Sequence, residues 1–545
     1  MIPTGTRQTT TSQVSTPFAR GKIGSWSAIK RPSGSTDFPS EPAQADAENS
    51  DPTIATIIHG NRFISSDRSL TPVTTGIRFD RKMSEAEGLM WRLDKDPYLS
   101  STFANLSVLD RAPDFDRLRR RMERASIAIP RLRQRVQSAP ANLTPPLWVD
   151  DPDFDIDYHV RRVSLPAPGS MRQMLDLATL ITNDPFDRTR PLWQFVVIEG
   201  LDGDRAVLVE KLHHSIADGE GSVQLSLQFF DFERDAPEPS ALEWEPSADT
   251  SSILNADVWR EMLAGPMKLP LALVKQMRDL IADPTQIPAN GSATIDTLRG
   301  VIGQMTDVEP ARSPLWTTRS LRRRAEVLSA PFTTTRDAAR SMGGTLNTAL
   351  LCAAADAAGR YHRALGAPID ELRASMAIST RKQTGDGEAT NAFSLARMLV
   401  PTAEMPVHER FRLVNEATIA AANGSAASLV GAAASLATSL PTGLITRMAR
   451  LQSQTVDFAT SNVKGTPIPV YVAGSQIVNN FPLGPLGGVA FNLTLLSHVG
   501  SLDMGLNMDA GAISHPEVLR ECLHDAFDDL LTSTKKSKKR TSPKK

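Results

Sequence analysis

The sequence predicts an α/β protein built from two domains. Strand-like and helix-like stretches alternate from about residue 83 to 232 and again from about residue 325 onward. The chain of 545 residues is long enough for two domains of roughly 200 residues each, with tails. Apolar residues make up 41 % and charged residues 22 % of it, which is typical of a chain that buries a sizeable core.

Charge and cysteine content narrow the function classes. The net charge of −1 gives no overall attraction to nucleic acid, so no nucleic-acid partner is expected. The two cysteines, Cys352 and Cys522, are too few for a disulfide framework or a thiolate metal cluster. They indicate a reducing compartment, and we expect a cytoplasmic protein. No run of about 18 strongly apolar residues occurs, so no membrane-spanning helix is predicted.

Both ends of the chain differ in composition from the rest. Residues 1–75 are rich in Ser, Thr, Pro and Gly and predict a disordered N-terminal extension. This extension has no apolar stretch of the kind that a secretory signal needs. Residues 535–545 carry six lysines and one arginine and form a basic tail. Such a tail is usually solvated, and contact with an anionic surface is the alternative.

The first domain is predicted over residues 76–255. Ser84 is followed three residues later by Glu87, a capping-box pattern that indicates the start of a helix. The hydrophobic patterns further along predict one helix and two strands: Met171–Ile181, Phe195–Ile198 and Ala206–Leu212.

A linker with both helical and loop character is predicted over residues 256–324. The acidic, proline-rich residues 233–255 lead into it and predict a surface connection. Within the linker, Met262–Ile281 sets apolar side chains beside basic ones. Such a helix can pack on its own domain or dock on a membrane surface.

The second domain is predicted over residues 325–534. An alanine-rich stretch predicts a long helix near its start, and two apolar stretches near its end predict strands. A final amphipathic helix closes the domain. The corresponding ranges are Leu346–His362, Val470–Val478, Val489–Leu496 and Pro516–Leu531.

The segment with chemical interest, residues 213–219, has the sequence HHSIADG and lies between a predicted strand and a predicted helix. The alternation of side chains along the strand ends at His213 and His214. Successive strand side chains point to opposite faces, so only one of this pair can face a given cavity. Gly219 and Gly221 permit a sharp reversal into the helix.

A histidine here can serve as a general base. Its side chain titrates near neutral pH, so it can take a proton from an alcohol whose oxygen attacks a thioester. Two adjacent histidines at a strand end can also be packed without any catalytic role. The presence of Asp218 and Gly219 at this spacing favours the catalytic interpretation. Asp218 is expected to hold the turn or to pair with a distant arginine.

Two other interpretations compete with this one. His213 and Asp218 also fit the His-x4-Asp pattern of glycerolphosphate acyltransferases. Those enzymes carry a later Phe-Pro-Glu-Gly segment, and the closest match, residues 481–484, has leucine in place of the acid. A metal site is the second rival. Adjacent strand histidines diverge and no nearby set of ligands completes a coordination shell, so no metal is expected.

Residues 80–530 resemble the bacterial wax ester synthase/diacylglycerol acyltransferases. These belong to the coenzyme-A-dependent acyltransferases, which include condensation domains and chloramphenicol acetyltransferase. The HHSIADG segment matches the motif of that superfamily. Two further segments are similar to the narrower wax ester group: Pro191-Leu192-Trp193 and the segment that begins with Ser461 and Asn462.

The resemblance implies two chloramphenicol-acetyltransferase-like α/β domains of similar architecture that meet along a substrate tunnel. It implies that His214 is the general base, that His213 is structural, and that Asp218 and Gly219 hold the loop. Acyl-CoA would be a co-substrate and a lipid alcohol the acceptor, with no bound cofactor. Because such acceptors are lipids, the resemblance implies reversible, peripheral association with the inner face of the membrane or with lipid inclusions.

The chain departs from the family pattern at one position. The family has Asn-Asp at the start of the first helix of its second domain, whereas this chain has Asn347 and Thr348. Asn347 on its own would also suit a helix N-cap. Arg381 falls where the family has a Ser-x-Arg segment. It is the expected partner of Asp218, and a plain surface arginine is the alternative interpretation.

Three arginines that alternate with other residues in the first domain allow two interpretations. They are Arg131, Arg133 and Arg135. They could contact the phosphates of coenzyme A, or they could form a solvated face of a strand or helix, which is the favoured interpretation.

The expected reaction is transfer of a long-chain acyl group from acyl-CoA to an alcohol. Diacylglycerol would give triacylglycerol, and a long-chain fatty alcohol would give a wax ester. An alternative acceptor is a specialised glycolipid or polyketide hydroxyl. The change to Thr348 also leaves open a weakly active protein that binds lipid inclusions.

Overall fold

Two six-stranded sheets form the framework of the protein. The structure is a computed structural model that describes residues 80–138, 145–217, 225–244, 310–379, 393–423 and 442–540. All of these belong to one unit of the chain, residues 52–545. Several predicted features lie outside the described residues: the extension 1–75, the segment Met262–Ile281, the residues Asp218, Gly219 and Arg381, and residues 541–545 of the tail.

Strands and helices alternate along the described chain as predicted. The strands are β1 (Thr102–Leu109), β2 (Gln134–Gln137), β3 (Leu147–Asp150), β4 (Val160–Ser164), β5 (Trp193–Leu201), β6 (Arg205–His213), β7 (Arg323–Pro331), β8 (Glu371–Ser379), β9 (Phe393–Pro401), β10 (Phe458–Val463), β11 (Tyr471–Val472), β12 (Ser475–Leu483), β13 (Phe491–His498) and β14 (Ser501–Asp509). The helices are α1 (Glu85–Leu93), α2 (Phe115–Ala128), α3 (Ile156–His159), α4 (Met171–Asn183), α5 (Phe332–Ser341), α6 (Leu346–Ala364), α7 (Val407–Asn423), α8 (Thr442–Ser453) and α9 (Pro516–Arg540).

The first sheet has the order β11-β12-β1-β6-β5-β4, and only its β4–β5 pair is parallel. β5 and β6 form an antiparallel hairpin and β1 lies beside β6. The predicted strands Phe195–Ile198 and Ala206–Leu212 are therefore confirmed, each slightly longer than expected. The predicted capping box is confirmed at the start of α1, where Ser84 and Glu87 exchange hydrogen bonds of 2.8 and 3.2 Å.

The second half of the chain completes the first sheet. β12 pairs antiparallel with β1, with Asn105 opposite Pro482. The stretch predicted as one strand, Val470–Val478, is broken into β11 and β12 by a turn. Ala473 and Gly474 have φ angles of 46° and 89°, which a continuous strand cannot contain. The first sheet thus combines four strands between residues 102 and 213 with two strands between residues 471 and 483.

The second sheet has the order β7-β14-β13-β10-β8-β9, with parallel pairing of β10 to both β8 and β13. Helix α6, where the alanine-rich pattern predicts a helix, packs against α9 over this sheet. Its small side chains permit close approach: a Cβ atom at Gly359 would lie 2.0 Å from the Thr402 carbonyl oxygen. The final helix is longer than predicted and ends at Arg540, so residues 535–540 of the basic tail continue it.

Each sheet has its own apolar core, which confirms the predicted fold class of two similar α/β halves. The first sheet is covered on one face by α2, through Leu118 and Met122, and on the other by α4, through Met174 and Leu175. The second sheet is covered by α6, α7 and α9. β6 is consequently buried at every position after Arg205, so a polar side chain on it needs a partner.

The acidic, proline-rich connection is described as far as residue 244 and lies against α2. Three arginines of α2 donate hydrogen bonds to main-chain carbonyl oxygens of this segment: Arg117 to Ala236, Arg121 to Pro237 and Arg124 to Ser240. Glu238 of the same segment also pairs with Arg120 at 2.9 Å. The connection is a surface segment, as predicted, and α2 anchors it.

Candidate active site

The turn after β6 carries the two predicted histidines. β6 ends at His213, whose main-chain N–H donates to the Leu192 carbonyl oxygen at 3.1 Å. The Ile216 N–H then donates back to the His213 carbonyl oxygen at 2.9 Å, which closes a turn over residues 213–216. The end of the strand at the histidine pair is where the alternating pattern predicts it.

The ring of His213 has a structural role. It is fully buried, and its Nδ1 accepts a hydrogen bond from the Ser215 N–H at 3.1 Å and lies 2.7 Å from the Ser215 Oγ. Because Nδ1 acts as an acceptor, the neutral ring carries its proton on Nε2. That nitrogen lies 3.7 Å from Oδ1 of Asp94.

His214, unlike its neighbour, is a partly exposed residue, although its Nδ1 is buried. Its main-chain N–H donates to the Ser101 carbonyl oxygen at 3.0 Å. Its ring packs against Phe103 of β1, with ring centroids 4.5 Å apart and planes tilted by 39°. Of the two histidines, His214 is therefore the one with a side chain that a substrate can reach.

The Pro-Leu-Trp segment, residues 191–193, lies beside the histidine pair. Leu192 supplies the carbonyl oxygen that binds the His213 main chain. Trp193 is buried and its Nε1–H donates to the Leu132 carbonyl oxygen at 2.8 Å. These contacts fix the end of β6 against β5. The Pro-Leu-Trp segment therefore supports the turn at residues 213–216 through a main-chain hydrogen bond.

The Trp193 ring also stacks on a buried histidine, His159, at a centroid distance of 4.4 Å. His159 Nδ1 lies 2.7 Å from the Trp193 carbonyl oxygen, so it donates to it. Burial lowers the pKa of His159 to about 4, despite that hydrogen bond. This histidine stays neutral at physiological pH and is a packing residue.

Two predicted residues of the second half contact each other directly. Asn462 Nδ2 on β10 donates to Asn347 Oδ1 in the first turn of α6 at 2.6 Å. Ser461 precedes Asn462 on the same strand and is half-buried. The alternative interpretation of Asn347 as a helix N-cap is wrong, because Thr345 is the N-cap of α6.

Thr348, which replaces the acid of the family pattern, completes the cap of α6. Its Oγ accepts from the Thr345 N–H at 3.4 Å, and the Thr345 Oγ accepts from the Thr348 N–H. The Thr348 hydroxyl also donates to Asn415 Oδ1 on α7 at 3.0 Å. The replacement therefore leaves the start of α6 capped and tied to the neighbouring helix.

A buried acid on β6, Glu210, is a feature that the motif analysis missed. Its carboxyl group accepts hydrogen bonds from the Ser107 and Ser226 hydroxyls at 2.7 and 3.1 Å and from Asn105 Nδ2 at 3.3 Å. Burial raises its pKa to about 7, although these hydrogen bonds oppose the rise. A glutamate among valines and leucines of a buried strand was the available signal. Its hydrogen-bond partners come from distant parts of the chain, and the hydroxyl of one of them, Ser107, also lies 3.1 Å from Asn480 Oδ1.

The three alternating arginines are held by aromatic rings and carbonyl groups. Arg131 is buried and its guanidinium lies 4.1 Å from the Trp148 ring, and burial lowers its pKa to about 10. Arg133 lies 4.4 Å from the Phe154 ring. The favoured interpretation of a solvated face is wrong for Arg131, since Trp148 of β3 covers it.

No described group of three or more His, Cys, Asp or Glu side chains is arranged to hold a metal ion. None of the described helices is long and apolar enough to cross a membrane.

Comparisons with known proteins give the class of the protein. A family model of the wax ester synthase/diacylglycerol acyltransferase catalytic domain matches residues 83–350, and one of the WS/DGAT C-terminal domain matches residues 389–531. These matches define an acyl-CoA-dependent O-acyltransferase. The chain belongs to the wax ester synthase/diacylglycerol acyltransferase family, as its motifs predict.

Individual relatives agree with this assignment. A putative diacylglycerol O-acyltransferase of Mycobacterium tuberculosis is 31 % identical over 468 residues, which cover 83 % of this chain and 92 % of the relative. A probable diacylglycerol O-acyltransferase of the same species is 25 % identical, over 83 % of this chain and 96 % of the relative. The fold is similar to that of the wax ester synthase/diacylglycerol acyltransferase from Marinobacter aquaeolei VT8, with a TM-score of 0.58 and 20 % identity over 83 % of this chain and 99 % of that one.

Proposed function

We propose that this protein transfers a long-chain acyl group from acyl-CoA to diacylglycerol or to a long-chain fatty alcohol, with His214 as the general base. The observation that carries the proposal is the contrast within the histidine pair. His213 is buried with its Nδ1 bound to Ser215, whereas His214 is partly exposed and its ring packs against Phe103.

The reaction follows from ordinary acid–base chemistry. The His214 imidazole takes the proton of the acceptor hydroxyl as that oxygen attacks the thioester carbonyl carbon. The C–S bond then breaks, and the imidazolium returns the proton to the leaving thiolate of coenzyme A. His213 supports the turn, Asp218 and Gly219 hold the loop, and the Asn347–Asn462 contact supports the second half. The substrates are proposed to meet at His214 in a tunnel between the halves.

Diacylglycerol is the acceptor that the relatives' names favour, since both M. tuberculosis proteins are described as diacylglycerol O-acyltransferases. The capped start of α6 supports an active enzyme, because Thr348 preserves the hydrogen bonds of that turn. A specialised glycolipid or polyketide acceptor and a weakly active lipid-binding protein are the alternatives that the assay must separate.

The test is an acyl-transfer assay on the purified full-length chain. Labelled palmitoyl-CoA is supplied with diacylglycerol, with a long-chain alcohol, or with neither. We expect a labelled triacylglycerol or wax ester that the His214→Gln variant does not form. A wild-type protein that binds acyl-CoA but forms no product with either acceptor would contradict the proposal and favour one of the alternatives.

Reversible membrane or lipid-inclusion association at the cytoplasmic face is the second part of the proposal. It is supported by the lipid nature of the acceptor and by the seven basic residues of the tail 535–545. Basic clusters contribute roughly 1 kcal/mol per charge near an anionic surface, and salt screens them. Deleting residues 535–545 should reduce flotation with anionic liposomes at low salt and have little effect at high salt. Salt-insensitive flotation that survives the deletion would exclude the tail as the anchor.

A further inference from the structure

The segment that joins α1 to β1 lies directly behind the histidine pair. Within it, Asp94 accepts hydrogen bonds from the Ser100 hydroxyl at 2.9 Å and the Ser101 N–H at 3.3 Å. The Ser101 carbonyl oxygen in turn accepts the hydrogen bond of the His214 N–H at 3.0 Å. One carboxylate therefore organises the residue that holds the main chain of His214.

The same carboxylate faces the ring of His213. Its Oδ1 lies 3.7 Å from Nε2, the nitrogen that carries the proton when Nδ1 accepts from Ser215. The hydrogen bond between the Ser215 N–H and His213 Nδ1 spans His214, so the tautomer of His213 and the shape of the turn depend on each other. Asp94 is consequently linked to His214 from two sides, through Ser101 and through the His213 ring.

Arg188 fixes the position of this carboxylate. Its Nη1 lies 3.4 Å from Asp94 Oδ2, its Nη2 donates to the Trp91 carbonyl oxygen at 2.8 Å, and its guanidinium lies 3.3 Å from the Trp91 ring. Burial opposes ionisation of Asp94, but its contacts with His213, Ser100 and Arg188 outweigh burial and hold its pKa below the usual range.

Lys211 is a further charged group near this carboxylate and histidine. It lies on β6, two residues before His213, and its amine donates to the Asp184 carbonyl oxygen at 2.6 Å. Among the residues that the structure describes, Asp94, Arg188 and Lys211 thus contribute charge near His213.

We propose that Asp94 is a positioning residue for acyl transfer. Its carboxylate fixes the tautomer of His213 and the carbonyl group that holds the His214 main chain, and so sets the position of the His214 imidazole. This proposal rests on the proposed role of His214 as the general base.

A matched control lies in the same segment. Asp96 accepts a hydrogen bond from the Tyr98 N–H at 3.1 Å and pairs with Arg450 of α8 at 3.5 Å. Replacing Asp96 disturbs the segment from its other side, with the same loss of one carboxylate.

The kinetic test compares Asp94→Ala, Asp94→Glu and Asp96→Ala. A misplacement of about 1 Å at a reacting group can cost on the order of a hundredfold in rate. We expect Asp94→Ala to lower kcat by about 10- to 100-fold with the KM for palmitoyl-CoA changed by less than about threefold. Asp94→Glu should restore part of the loss, and Asp96→Ala should keep kcat within about threefold of wild type. Equal losses in Asp94→Ala and Asp96→Ala would overturn the proposal.

A second measurement does not depend on turnover. The chain has nine histidines, and 15N labelling of these residues reports their tautomers, with His213→Gln and His214→Gln variants to assign the two signals. We expect the Nε2–H tautomer for His213 in the wild type and its loss, with a shifted His214 signal, in Asp94→Ala. Unchanged signals would overturn the proposal. A wild-type protein without any transfer refutes the proposed function by itself, and the spectrum still decides whether Asp94 fixes the histidine pair.

Discussion

Two buried carboxyl groups, one in the first sheet and one beside the second, are held by different kinds of donor. In the first sheet, Glu210 is held by the side chains of Ser107, Ser226 and Asn105. Beside the second sheet, Asp457 accepts main-chain N–H groups of Arg312, Ser313 and Arg373 at 3.2, 2.9 and 2.8 Å.

The two carboxyl groups therefore have different roles: Asp457 joins chain segments, whereas Glu210 can change its protonation state. Main-chain donors cannot become acceptors, so the three N–H groups hold the Asp457 carboxylate in one place, where it joins three segments. Hydroxyl groups can donate or accept, so the surroundings of Glu210 suit both protonation states. Glu210 lies on the strand that ends in the histidine pair, whereas Asp457 serves architecture.

Removal of His214 should have the largest effect on the transfer rate. His214→Ala should lower the transfer rate by about a hundred- to ten-thousand-fold, the usual loss for a general base. His213→Ala should retain some activity in its folded fraction while lowering the melting temperature, because the buried ring supports the turn. Rates and thermal unfolding of both variants provide the measurement. Equal, small losses of rate in the two variants would contradict the assignment.

Because Asp457 joins three chain segments, we expect its removal to lower the stability of the protein considerably. Asp457→Ala leaves three main-chain N–H groups without their acceptor, at about 1 kcal/mol or more each. We expect the free energy of unfolding in urea to fall by about 3 kcal/mol. Asp337→Ala, at a carboxylate with 60 % of its side chain exposed, is the control and should change it little. Similar values for the two variants would remove Asp457 from this role.

Because Glu210 can change its protonation state, we expect the stability of the protein to depend on pH. Its pKa is raised from 4.5 to about 7, so the folded protein binds the extra proton and stability falls as pH rises through this window. The wild type should lose about 2 kcal/mol between pH 5 and pH 8 relative to Glu210→Gln, which cannot ionise. Urea unfolding at both pH values measures this difference. Parallel stability curves would show that Glu210 titrates normally.

The smallest expected effect concerns the pair of Asp218 and Arg381. Asp218→Ala should lower both the rate and the melting temperature by leaving the arginine without its partner. A double-mutant cycle should give a coupling energy of about 1 kcal/mol. Additive effects of Asp218→Ala and Arg381→Ala would mean that each residue has another partner.

Local signals predicted what depends on neighbours in the sequence. The capping box at Ser84, the alanine-rich helix α6 and the end of β6 at the histidine pair all follow from spacings of a few residues. Each was confirmed because hydrogen bonds within a turn and alternation along a strand are decided locally.

The remainder depends on contacts between distant segments. Arg131 is buried because Trp148 of another strand covers it, and the raised pKa of Glu210 requires the burial that neighbouring strands and Ser226 provide. Asn347 bonds to Asn462 rather than capping α6, because Thr345 already serves as the cap. The spacing of residues within one segment cannot predict such contacts with distant segments. Asp218, Gly219 and Arg381 lie outside the described residues, and their roles stay predictions.

The insertion of β12 beside β1 has a consequence for how the protein forms. The Ser107 hydroxyl bonds to Asn480 across 373 positions of the chain, so the first sheet cannot close until nearly the whole polypeptide exists. At about 5–20 residues per second, a ribosome needs roughly 20–75 seconds to bridge that gap. During this time β1 presents an unpaired edge, which is a site for wrong strand pairing. A fragment that stops at residue 350 lacks β12, so its β1 keeps this open edge.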